Sequence, residues 1–342
     1  MTVYGERSIA ARRRIAVLLT VLLVLLPAHP ALAYLKFGFE IGSRSVTARW
    51  LRFPVRYFVT NRGVPGVSAT DLQGAAARAF ATWQGVPTAA ITYDFAGFTS
   101  NQPGEDDGRT TLGFQSVPEL DRVLASTSFL IDGLTGELLE ADIFFNSAFA
   151  WSVAAGGERN RWDLETIAVH EIGHLSGLGH SAIGETEVGA SGRRVLAAEA
   201  VMFPIALGTN DVSGRLLRPD DVAGISDLYP DGGFNDDTGS VSGRITKSGA
   251  GVFGAHIVAF DIAKGELVGN FSLRADGQFS IAGLRPGPHA IRVEPIDDAD
   301  TDSFFDNVDP VDLNFRSKYY EQLVIVPRGA DSGAIEVEVA GK

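Results

Sequence analysis

The 342-residue sequence has no cysteine. Disulfide cross-links, thiol nucleophiles, thiolate metal sites and any thiolate plug for an active site are therefore excluded, and the fold must rest on its core and on any ions it binds. Basic residues are also scarce: 29 Lys and Arg face 42 Asp and Glu, for a formal net charge of −13. That balance argues against a nucleic-acid partner, which needs a basic face for phosphate. Long apolar runs are confined to Ile15–Leu26, which follows Arg12, Arg13 and Arg14 and precedes PAHPALA. With Ala31 and Ala33 placed for a cut before Tyr34, residues 1–33 read as a secretory signal peptide. The run is shorter than the roughly 20 residues a bilayer span takes, so the expectation is a secreted chain, extracellular or periplasmic. Methionine is limited to Met1 and Met202, and histidine to six residues.

A length of 342 residues with 45% hydrophobic content suggests two folded domains. In the first, VRYFVT (Val55–Thr60), ITYDFAG (from Ile91), TTLGFQ (from Thr110), LASTSFLID (Leu124–Asp132) and LLEADIFFN (Leu138–Asn146) have strand composition. Thr70 and Asp71 offer N-caps for a helix to about Trp83, in which Leu72, Ala76, Phe80 and Trp83 recur at helical spacing. A second helix is expected after Asp163, carrying LETIAVHEIGHLS to Gly177, and a third over RPDDVAGISDLYP. The turn-rich, acidic PDGGFNDDTGS reads as a linker, with the boundary between residues 232 and 233. Beyond it, short alternating segments such as AHIVAFD, HAIRVEP and IEVEVA predict an all-β sandwich for residues 233–342, with DDADTDSFFDNVDP as an acidic loop. His256 and His289 read as surface or strand residues.

Half of the six histidines fall in HEIGHLSGLGH, residues 170–180. On a helix His170 and His174 project from one face, and neutral imidazoles so placed bind zinc at about 2.0–2.1 Å. Gly177 can take the left-handed conformation that ends the helix and lets the chain return with His180. Three protein ligands leave an open position, as in a catalytic zinc site. Glu171, beside the first ligand, is placed to act as general base toward a metal-activated water.

With Ser181 after the third histidine and AVMFP at 200–204, the sequence resembles the metzincins, and among them the matrixins, over roughly Trp50–Pro230. The resemblance implies an α+β catalytic domain (residues 34–232) with a mixed twisted sheet and about three helices. It further implies one catalytic Zn2+, a Met-turn placing Met202 beneath the metal, and Pro204 in the wall of the S1′ pocket. LASTSF matches the substrate-binding edge strand, so Leu124, Ala125, Ser126 and Thr127 would offer backbone groups to an extended protein or peptide substrate. Ser126 and Phe144 stand where animal matrixins carry histidines for a second zinc, so one zinc only is expected. Ca2+ is conceivable around Asp132, Glu140, Asp142 or Asn146, without an assignment. Ser181–Glu199 is longer than the usual link to the Met-turn. VSGRITKSGAGVFGAHIVAFD and DGQFSIAGLRPGPHAIRVEP resemble the transthyretin-like, carboxypeptidase-regulatory type of sandwich, which implies stability or attachment rather than chemistry. The implied function is a secreted, monomeric zinc-dependent endopeptidase. The alternatives are a surface-attachment or binding protein with a vestigial or structural zinc site, and a hydrolase of non-peptide amides or esters.

Overall fold

The computed structural model describes residues 36–41, 44–189, 192–296, 303–305 and 311–342. The expected signal peptide lies outside these residues. The described chain starts with an antiparallel hairpin, β1 (Gly38–Ile41) against β2 (Arg44–Thr47). Five strands then form one sheet: β3 (Val55–Thr60), β4 (Tyr93–Thr99), β5 (Thr110–Gln115), β6 (Ala125–Ile131) and β7 (Leu138–Asn146). Their order is β4-β3-β5-β7-β6, with β6 alone antiparallel to its neighbour. Alternation in VRYFVT sends Val55, Tyr57 and Val59 into the core. β7, between β5 and the edge strand β6, carries the buried acids Glu140 and Asp142. These carboxylates accept backbone N–H groups from the polar loop before β5 and from β5 itself: Gly108 donates to Glu140, and Gly104 and Thr111 donate to Asp142. Asp132 and Asn146 have local duties, Asp132 closing a turn at Leu134 and Thr135, and Asn146 donating to the Leu120 and Val123 carbonyls.

Three helices share the core with this sheet. The first, α1 (Ala69–Gln84), buries Leu72, Ala76, Phe80 and Trp83, the spacing expected of its apolar face. Its cap is Ser68 rather than Thr70 or Asp71. The Ser68 hydroxyl accepts from the Asp71 amide at 3.1 Å and the Asp71 carboxylate accepts from the Ser68 amide at 2.9 Å, a reciprocal pair that neither later residue could form. The second, α2 (Leu164–Leu175), starts at Asp163, whose carboxylate accepts from the Thr166 amide and from Arg215. Trp83, wholly buried, donates its indole N–H to the Val169 carbonyl at 2.7 Å and fixes α2 against α1. Short strands β8 (Trp151–Ser152) and β9 (Trp162–Asp163) lead into α2. After α2 the long Ser181–Glu199 segment forms a hairpin, β10 (Gly184–Gly189) with β11 (Gly192–Ala198). A third helix, α3 (Pro219–Leu228), follows.

The stretch expected to be a linker with little to bury is ordered instead. It forms a short helix, α4 (Phe234–Asp237), with Phe234 buried and the Asp231 carboxylate accepting from the Gly233 and Phe234 amides. Two sheets complete the chain. The first holds β12 (Gly239–Lys247), β13 (Ala250–Gly251), β16 (Gln278–Leu284) and β20 (Asp331–Val339). The second holds β14 (His256–Asp261), β15 (Glu266–Phe271), β17 (Gly287–Glu294), β18 (Lys318–Tyr319) and β19 (Val324–Val326). Residues of both sheets, among them Val241, Ile245, Ile257, Ile281, Ile291 and Val337, form one apolar core. Ala223 of α3 belongs to the same core, and Asp220 of α3 accepts from the Gly269 amide of β15 at 2.8 Å. The C-terminal β region is therefore packed against the first domain. His256 and His289 lie in strands and are buried rather than on the surface; His256 pairs with Glu294.

Candidate metal centre and substrate cleft

The C-terminal half of α2 and the turn after it bring His170, His174 and His180 together. Gly177 turns the chain with φ of +101°, and a Cβ there would lie 2.6 Å from the Ala48 carbonyl oxygen, so glycine is required on two counts. The Nε2 atom of His174 stands 3.1 Å from that of His170 and 3.2 Å from that of His180. Each Nδ1 faces a backbone carbonyl: Val201 for His170 and Leu178 for His174, both at 2.8 Å, and Ser303 for His180. A carbonyl can only accept, so each Nδ1 carries a proton, and in a neutral ring Nε2 then presents a lone pair. Burial, with the neighbouring rings, pushes His170 down to about 4 and His174 well below the ordinary histidine range, which keeps both neutral. Three ring nitrogens converging within 4.8 Å of one another fit a cation. Tetrahedral nitrogen ligands at about 2.0–2.1 Å from zinc stand roughly 3.3 Å apart, close to the separations here. Backbone carbonyls behind the ring nitrogens orient such ligands.

Glu171 points from the same turn of helix toward β6. Its Oε2 accepts from the Thr127 hydroxyl at 2.7 Å, and burial pushes its carboxyl up to about 7 against the effect of that hydrogen bond. A buried carboxylate tuned near neutrality is suited to proton transfer.

Met202 is 2% exposed and packs beneath the helix. A Cβ on Gly173 would fall 2.2 Å from the Met202 sulfur and 2.9 Å from Cζ2 of Trp83. Gly173→Ala is thus expected to cost about 1–3 kcal/mol by overpacking. Thermal unfolding of the zinc-loaded protein would show this as a midpoint several degrees lower, and an unchanged midpoint would contradict the packing described. The Met202 turn is strapped from α3: Asp221 accepts from the Val201 and Met202 amides at 2.9 and 3.1 Å and also from the Arg218 amide. Ser181 donates its amide to the Met202 carbonyl. Because the Val201 carbonyl orients His170, Asp221 supports the first ligand through one peptide unit.

Leu124, Ala125, Ser126, Thr127 and Pro204 share a cleft of about 1390 Å³ with the histidines and Glu171. Strand β6 forms one rim, and among the described residues no strand pairs with its outer edge. The Leu124 carbonyl accepts from the Asn146 amide, so the alternating ladder turns the backbone groups of Leu124 and Ser126 toward β7 and those of Ala125 and Thr127 toward the open edge. Ser126 and Phe144 are direct partners in that ladder. The segment before β1 joins the rim, with the Phe37 ring 5.6 Å from His174 and 4.7 Å from Phe129.

Three converging histidines with an adjacent carboxylate, in a cleft beside the outer edge of β6, resemble a metallohydrolase type of site. The chain belongs to the matrixin family, whose profile matches residues 49–230. It is 39% identical over 89 residues to metalloendoproteinase 5-MMP of Arabidopsis thaliana, which is 26% of this chain and 20% of that protein. It is 29% identical over 149 residues to human matrix metalloproteinase-23, covering 40% and 36% of the two chains. With metalloendoproteinase 4-MMP of Arabidopsis thaliana it shares 28% identity over 195 residues, 53% and 48% of the two. The chain thus spans between a fifth and about half the length of these relatives. Sequence reasoning missed the Thr127 side chain, the Asp221 strap and Ser303. Asp221 had a sequence signal as one of two acids opening α3; a backbone carbonyl such as that of Ser303 has none.

Proposed function

We propose that this chain is a secreted zinc-dependent endopeptidase, with His170, His174 and His180 as metal ligands and Glu171 as general base. The observation carrying this reading is the convergence of three Nε2 atoms beside a buried carboxylate, in a cleft bordered by the outer edge of β6. Zinc bound there supplies Lewis acidity, acidifying water and polarising a carbonyl. The chain's own residues do the rest. Ala125 and Thr127 offer backbone groups to an extended polypeptide, adding it as a strand next to β6. Thr127 holds one oxygen of Glu171, and the carboxylate takes the proton of the attacking water and delivers it to the leaving amine. Asp221 and Met202 keep the ligand helix and the following turn in register, and Pro204 stands in the wall facing the S1′ side chain. The relatives' names, metalloendoproteinase and matrix metalloproteinase, agree with this reading. Residues 233–342 are a β-sandwich of the transthyretin-like, carboxypeptidase-regulatory type that supports the catalytic domain.

The test is cleavage of a denatured protein such as gelatin or casein by the purified chain, with zinc content measured in the same sample. Cleavage abolished by a chelator, with about one zinc per chain, is the expected result. Full zinc occupancy with no cleavage of any unfolded protein would favour the surface-attachment reading instead.

A further inference from the structure

The C-terminal β region reaches the metal centre itself. Ser303, Phe304 and Phe305, which come from its acidic loop, line the same cleft as His180 and Glu171. Phe305 is 8% exposed and acts as the anchor, its ring 5.4 Å from Phe271 and 5.5 Å from Phe253. Phe304 is half-buried, 5.6 Å from Phe271 on one side and 6.3 Å from the His180 ring on the other. The Ser303 carbonyl accepts a hydrogen bond from the Nδ1–H of His180, the nitrogen that points away from the other two histidines. The loop tip therefore grips the third histidine from behind and leaves the Nε2 side open. It forms a wall of the cleft, not a plug.

We propose that Phe304 is a specificity-determining residue of the protease cleft, supplied by the C-terminal β region, whose ring receives one large apolar side chain of the polypeptide substrate. This rests on the endopeptidase reading above. An apolar substrate is the occupant that fits, because the exposed part of Phe304 faces a cleft already lined by Phe253 and Leu273 and continuous with the metal centre. Burying a substrate side chain against an aromatic face removes apolar surface from both partners. The anchoring of Phe305 in the Phe253–Phe271 cluster holds the wall in place before substrate arrives, so little ordering cost falls on binding.

The experiment compares the full chain with its Phe304→Ala and Phe304→Trp variants on a position-scanning library of fluorogenic peptides, with zinc content and thermal midpoint measured for each. The expected result is confined to one substrate position. There, the wild-type preference for Leu or Phe over Gly, as a ratio of kcat/KM, falls about tenfold in Phe304→Ala. The Trp variant, with a bulkier wall, shifts the preference at that position toward smaller side chains, and it carries the test alone if the Ala variant does not fold. An unchanged profile in both variants would overturn the proposal. So would an equal loss at every position, since that would make Phe304 only a support for His180. A wild-type chain that cleaves no peptide in the library fails at the first step and counts against the endopeptidase reading, which separates the two failures.

Discussion

Glu171→Gln is expected to lower turnover of a peptide or unfolded-protein substrate by about 10² to 10⁴ or more, while zinc content and folding stay as in the wild type. The substitution keeps the shape of the side chain and an oxygen that can still accept from Thr127, so the hydrogen bond at 2.7 Å need not be lost. What it removes is the lone charge able to take a proton. The three histidines are unaffected, because none of their Nδ1 partners involves Glu171. Stability should hold or rise slightly, since a carboxylate raised to about 7 by burial is costly to keep charged at neutral pH. Turnover by the single-residue variant and metal analysis of the same preparation check both halves. Equal turnover in wild type and variant would remove Glu171 from the chemistry. Loss of zinc along with activity would instead make it a structural support of the site, which its contact with Thr127 alone does not suggest.

The parts of this molecule that were legible in the sequence are those whose signals are local. VRYFVT and LLEADIFFN occupy their strands with the same limits that composition gave, because alternation and β-branched content act within a few residues. The helix carrying HEIGH begins at the expected Asp163 cap. The cap of α1 was misplaced because Ser68, Thr70 and Asp71 are all capable, and only the three-residue spacing of the reciprocal pair decides among them. The β10–β11 hairpin was hidden in a charged stretch with no apolar face to mark its strands. At the site, the histidine trio was visible because it lies within eleven consecutive residues, 170–180. Its supports were not. Thr127 is 44 positions from Glu171 and Ser303 is 123 from His180 in the chain. Distance in the chain likewise hid the packing of the C-terminal region: Asp220 is buried and accepts from the Gly269 amide, 49 positions away.

Stripping zinc with a chelator is expected to lower the thermal midpoint of the whole chain by on the order of 10 °C, reversibly. Linkage contributes about 4 kcal/mol at a free metal concentration roughly 1,000 times Kd. A domain of this size class shifts by about 2–4 °C per kcal/mol. The structural reason is the lone-pair arrangement. With every Nδ1 proton committed to a carbonyl, the Nε2 atoms of His170, His174 and His180 face one another at 3.1 and 3.2 Å with nothing to donate. Protonating them would relieve the contact, but burial opposes it, holding His170 at about 4. A cation satisfies all three at once, and the elements they join would each lose support without it: helix α2, the turn after it and the Ser303 loop of the C-terminal region. Restoring zinc should restore the midpoint, and magnesium should not, because a hard oxygen-seeking ion is poorly served by three imidazoles. Glu171→Gln should show the same zinc-dependent shift as the wild type, whereas His174→Ala should lose it, since the alanine variant removes the ligand that bridges the other two. A midpoint indifferent to zinc in the wild type, with stripping confirmed by metal analysis, would mean that the three histidines are held by packing alone. The metal would then matter to the chemistry of the cleft and not to the fold that builds it.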